Sequence, residues 1–246
     1  MMRLVSRGAP SFFFAISAVM FLVVVVGFSR TFFLRSLTNA EDMLGHGIPW
    51  HLIVHGLVMT SWFAFMVVQT WLVRHREVAT HRRLGWFGAA LACAVIAAGL
   101  YTTVKFAPRA AATQFDPQRA TDIIVGDMFT VLLPFPALLG TAIWFRNRPP
   151  THKRLMLLAS MLISLPVGSH YADSLALLGL PIWPVALVTP LTWLIALAVY
   201  DKVTLRRLHP ASVWGGLFLI VALILPPLMS RTSAGHAFAQ WVTANA

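Results

Sequence analysis

Trp50-His51-Leu52-Ile53-Val54-His55-Gly56-Leu57-Val58-Met59-Thr60-Ser61-Trp62-Phe63 opens a run, 50–73, that contains no Asp, Glu, Lys or Arg. About 20 apolar residues cross the hydrocarbon of a bilayer as a helix, so this run reads as a membrane span. Within it His51 and His55 are four residues apart, one helical turn, and share a face. Imidazole is costly in hydrocarbon and calls for a partner there: a metal, a haem, a carboxylate or water.

The rest of the chain has the same character. It is 58% hydrophobic and 11% charged, with a mean hydropathy of +0.75, whereas soluble domains are closer to a quarter charged. Seven apolar segments, at 11–34, 50–73, 83–106, 121–145, 153–174, 181–200 and 211–230, predict an all-α bundle of seven transmembrane helices forming one integral membrane domain over 1–246. The first reads as a retained signal-anchor helix: its apolar stretch is long and no small-residue cleavage site follows. The tail 231–246 reads as a surface helix anchored by Phe238 and Trp241. Phe12-Phe13-Phe14 and Val23-Val24-Val25-Val26 suit contact with lipid or with another subunit. The net charge of +11 flanks apolar segments, which fits lipid headgroups and topology and argues against nucleic acid as a partner. A single cysteine, Cys93, excludes an intrachain disulfide and a thiolate cluster.

Charge also orients the chain. Arg3, Arg7, Arg74, Arg76, Arg82, Arg83, Arg146, Arg148, Lys153, Arg154, Lys202, Arg206 and Arg207 fall on one side. Arg30, Arg35, Lys105, Arg109, Arg119 and Arg231 fall on the other. The positive-inside rule then places the N-terminus in the cytoplasm and the C-terminus outside.

Thr80-His81-Arg82-Arg83-Leu84 recurs as Thr151-His152-Lys153-Arg154-Leu155, and a looser copy, Arg206-Arg207-Leu208-His209-Pro210, precedes the seventh segment. The offset of the first two predicts a parallel duplication of helix pairs 2–3 and 4–5. Thr80 and Thr151 suit N-caps, and the neighbouring basic residues suit snorkelling to lipid phosphate. His81, His152 and His209 then read as cap or headgroup residues, or as an inner-face haem or proton-uptake site.

On the outer side the predicted topology gathers His51 and His55 of helix 2, Asp127 of helix 4, and His170 with Asp173 at the end of helix 5. Three chemistries could use this set. Haem b takes two axial imidazoles, here His51 or His55 against His170. Zinc or iron would take His51 and His55 plus His170 or a carboxylate such as Asp127, with one position left for water. A proton or ion path would use the same groups as relays without a cofactor. The bland alternative leaves His51 at the interface beside Trp50, and His55 bonded to a neighbouring Ser, Thr or Asp. Helix 7 has no lysine for a retinal Schiff base, and Walker, nucleophile-elbow and dinucleotide motifs are absent.

His51-x3-His55-Gly56, Trp62-Phe63, His81-Arg82-Arg83-Leu84-Gly85, His152-Lys153-Arg154-Leu155-Met156 and His209-Pro210 together resemble a group of uncharacterised bacterial seven-helix membrane proteins. That group is loosely similar to cytochrome b561 in its histidine pattern. The resemblance runs over residues 12–216 and implies at most one outer haem, because Gly126 stands where a duplicated His55 would be. The expected function is electron transfer or respiratory-complex assembly, with respiratory or redox subunits as partners. A metal-dependent hydrolase and a non-enzymatic transporter or structural subunit are the alternatives.

Overall fold

A computed structural model describes residues 5–38, 47–113, 115–168 and 182–246, with 5–10 and 182–186 described by backbone alone. The regular elements among them are helical. The longer ones are α1 (Val5–Gly27), α2 (Trp50–Arg74), α3 (Val78–Ala112), α4, α5 (Pro149–Leu162), α6 (Ile182–Leu205), α7 (Pro210–Met229) and α8 (Ser233–Ala244), with a π-helical turn at Ser29–Phe33 and a short helix at Arg35–Thr38 between α1 and α2. Helix α4 is composite: an α-helical Pro117–Gly126, a π-helical Asp127–Leu132 and an α-helical Pro134–Trp144.

Among the described residues five helices are long and apolar enough to cross a membrane: α2, α3, α4, the Leu187–Leu205 part of α6, and α7. Of the other two expected spans, α1 holds an apolar stretch at Ser11–Gly27. Its expected continuation to residue 34 gives way to a π-helical turn at Ser29–Phe33. The fifth is helical over Pro149–Leu162, and the second half of its expected span lies outside the described residues.

Helix α5 sits at the centre. It packs against α1, α4, α6 and α7, and Leu155, Leu158, Ala159, Met161 and Leu162 have no exposed surface. A stretch that is apolar all round has to be enclosed on every side, and residues 157–162 are buried throughout. The surrounding helices keep one face outward instead, with exposed Leu22, Leu57, Ile195, Val203, Leu217 and Leu228. Such a surface suits lipid tails.

Exposed tryptophans mark two levels. Trp71, Trp86, Trp144 and Trp214 lie toward the basic end, Trp50 and Trp241 toward the opposite end. On α2, Trp50 and Trp71 are 21 residues apart, or about 32 Å at 1.5 Å per residue, the thickness of bilayer hydrocarbon. Indole rings favour that boundary.

The turns at the basic end explain where α3 and α5 begin. At the end of α2 the Arg76 and Glu77 N–H groups bond the Val73 and Leu72 carbonyls (3.2 and 2.9 Å), with Arg76 at φ 68°. That left-handed closure reverses the chain at once, so α3 starts at Val78, before the expected cap Thr80. Helix α5 likewise starts at Pro149 rather than after Thr151, because proline presets the φ of a first turn. Neither threonine is an N-cap.

The Phe12-Phe13-Phe14 run does not face outward as expected. Phe12 stacks on Tyr200 of α6 (centroids 4.1 Å), Lys153 of α5 stands over Phe13 (4.6 Å), and Arg74 of α2 stands over Phe14 (5.1 Å). Helix α8 forms where the tail predicted one. Phe238 packs on Phe129, while Trp241 remains exposed.

Candidate functional site

The apolar run of α2 carries His51 and His55 on its α3 side, at the end opposite the basic turns. The His51 ring meets Tyr101 edge-on (5.7 Å between centroids) and lies at right angles to Trp50. One turn deeper, His55 lies against the main-chain carbonyl of Ala98 and within electrostatic range of His51. Its Nδ1 is buried without a hydrogen-bond partner. An unpaired buried ring nitrogen costs about 1–3 kcal/mol, and it is the group a ligand would satisfy.

Asp127 begins the π-helical segment of α4. Pro134, lacking an N–H and crowding the turn before it, ends that segment, and Leu133 N–H closes it five residues back on Met128 (3.0 Å). The Asp127 Oδ2 accepts a hydrogen bond from buried Thr103 of α3 (2.9 Å). Thr103 is five residues from Ala98, about 140° around α3 at 100° per residue. Asp127 and His55 therefore meet α3 on different sides.

Among the described residues no three His, Cys, Asp or Glu side chains are grouped closely enough to hold a metal ion. His170, Asp173 and the loop residue His46 lie outside the described residues. Of the expected set, the structure thus brings His51 and His55 together on one face and gives Asp127 a separate partner.

The basic end holds a network the sequence reading passed over. Arg154, expected to snorkel outward, turns inward and is 2% exposed. Its Nε donates to Asp201 Oδ1 (3.0 Å), its Nη2 donates to the same oxygen, and its Nη1 donates to the Pro150 carbonyl (2.7 Å). The other carboxylate oxygen accepts from the His209 N–H (3.0 Å) and the Ser212 hydroxyl (2.6 Å). Asp201 therefore joins α5, α6 and the start of α7. The available signal was one acidic residue in an otherwise apolar helix, facing a basic motif. His209 caps α7 with its own ring, Nδ1 accepting from the Ala211 N–H (3.1 Å). Burial, and then the Arg154 charge, hold this imidazole below its ordinary pKa.

The other copies of the basic motif are used differently. Arg83 is exposed, although it matches buried Arg154 in the repeat. His81 of α3 faces the main-chain carbonyl of Gln69 and lies within electrostatic range of His152. His152 Nδ1 donates to the Ala142 carbonyl at the end of α4 (2.8 Å).

Two further contacts tie the bundle together. Trp62 Nε1 donates to Ser160 Oγ across α2 and α5 (3.1 Å). At the opposite end Asp122 accepts from Gln118 and from buried Ser230, joining α4 to the end of α7. With this geometry in hand, comparison finds no protein-family model that matches the chain, and no curated protein or solved structure similar to it.

Proposed function

We propose that the chain is a seven-helix bacterial inner-membrane protein, N-terminus in the cytoplasm and C-terminus outside, that serves electron transfer or respiratory-complex assembly. His55 or His51, together with His170, would hold a haem b near the outer face. The buried, partnerless Nδ1 of His55, with His51 one turn away on the same face, carries this reading.

Haem b needs only two imidazoles, whereas a zinc or iron site needs His51, His55 and a third donor. Asp127 is held by Thr103 on another side of α3, which leaves His170 as that third donor. The same geometry disfavours Asp127 as the base of a metal-dependent hydrolase, which would then depend on Asp173. A bound haem would supply one-electron chemistry. The chain's part is to fix the imidazole on α2 and to exclude water with the apolar walls of α2 and α3. Asp127, partly buried one helix away and bonded to Thr103, would be a proton-accepting partner rather than a ligand.

The test is a dithionite-reduced minus oxidised visible spectrum of the detergent-solubilised protein, expressed with ample haem. A sharp α-band at near one haem per chain is expected. It should be lost in His170→Ala and in the His51→Ala, His55→Ala double variant, and retained in His152→Ala. A flat spectrum overturns the proposal, and metal analysis then decides between the hydrolase and a transporter or structural subunit.

A further inference from the structure

We infer that the basic end of the bundle contains a second site, a transition-metal site formed by His81, His152 and Gln69, independent of the haem proposed at the other end.

Gln69 gives the first indication. It is 6% exposed, and neither its Oε1 nor its Nε2 has a hydrogen-bond partner. A carboxamide removed from water without partners is costly on both atoms, so its retention in an apolar helix calls for an occupant.

Register places the residue. Gln69 lies two turns beyond Trp62 on the same face of α2, about 10 Å nearer the basic end. Trp62 bonds Ser160 of α5. With α5 running opposite to α2, the same advance from Ser160 arrives at residues 152–153. His81 faces the Gln69 carbonyl from α3 and lies in electrostatic range of His152. Three helices therefore bring Gln69, His81 and His152 to one level.

The tautomers suit a metal. A carbonyl oxygen only accepts, so the 2.8 Å contact from His152 Nδ1 to Ala142 places the ring proton on Nδ1. Its Nε2 is left with a free lone pair. This is the arrangement by which a backbone carbonyl orients a metal-ligating histidine. His81 also lies against a main-chain carbonyl, and its Nδ1 is buried without a partner. Two neutral imidazoles and a carboxamide oxygen suit a borderline divalent ion such as Zn2+ or Co2+, with water completing the shell.

The nearby cations do not preclude this. Lys153 is engaged over the Phe13 and Tyr200 rings, Arg154 is neutralised by Asp201, and Arg82 and Arg83 are exposed, where salt screens them. The duplicated motif takes on a meaning here, since its two histidines come to the same level within electrostatic range of each other.

Co2+ titration of the chelator-treated, detergent-solubilised full chain tests the site by calorimetry and visible absorption. One Co2+ per chain is expected. Affinity should fall ~10-fold or more in His81→Ala and in His152→Ala, the scale on which metal-site substitutions act. His51→Ala and His55→Ala should leave it unchanged. Gln69→Leu keeps the side-chain bulk and covers the case in which a histidine variant fails to fold. It should weaken Co2+ binding while raising the thermal stability of the metal-free protein. No binding, or binding indifferent to His81, His152 and Gln69, overturns the inference and leaves water as the occupant. Loss in the His51 or His55 variants instead would put the ion at the opposite end.

Discussion

At Asp201 one carboxylate accepts from Arg154, from the His209 main chain and from the Ser212 hydroxyl, with its side chain and that of Arg154 almost wholly enclosed. Breaking a buried pair by removing one charge costs about 3–5 kcal/mol, because the survivor is left uncompensated. Asp201→Asn should therefore lower the melting temperature sharply in detergent. The double variant Arg154→Met with Asp201→Leu should recover most of the loss, since an apolar pair of similar bulk carries no stranded charge. His209 adds a pH dependence. Its folded-state pKa is depressed, so the unfolded chain binds the proton more readily. Its contribution is therefore present above the ordinary value of 6.5 and lost as pH falls toward the folded-state value. Protonation also removes the ring lone pair that caps α7. Melting temperature measured from neutral to mildly acidic pH should fall less steeply in His209→Asn, which retains a capping oxygen.

At the scale of the helices, packing depends on a few close approaches. A Cβ on Gly215 of α7 would stand 2.7 Å from Leu158 Cδ1 and 3.3 Å from Leu155 Cδ2, both fully buried side chains of α5. A Cβ on Gly140 of α4 would meet nothing within 4 Å. Gly215→Val should then destabilise by about 1–3 kcal/mol, the usual cost of overpacking, and Gly140→Val by much less, as chemical unfolding would show. Helix bodies were legible because hydropathy alone marks them: α2 spans Trp50–Arg74 against an expected 50–73. Helix starts were less so. At α3 and α5 the decisive elements were the left-handed turn at Arg76 and the proline at 149, while the capping pattern pointed to Thr80 and Thr151. The π-helical stretch of α4 was hidden too, because Pro134 predicts a disturbance but not the form it takes.

For the molecule as a whole, end-to-end charge sorting makes orientation testable. A cysteine introduced into the 146–148 turn, in a Cys93→Ser background, should resist an impermeant thiol reagent in intact cells, whereas one near residue 245 should react. Labelling of both would contradict the proposed topology. The candidate sites were unequally legible for a related reason. His51 and His55 declare themselves through i, i+4 spacing on one helix. Asp201 and Arg154 are 47 residues apart, and Gln69, His81 and His152 come from three helices, so only the packing brings them together. Among these long-range contacts, the three phenylalanines of α1 are clasped by Tyr200, Lys153 and Arg74 from three separate helices. Charge–ring and ring–ring attraction of this kind works as a vertical stop: α1 can neither slide along its axis nor swivel without losing all three grips. If the surrounding lipid thins or thickens, the first helix must tip together with its neighbours as one raft.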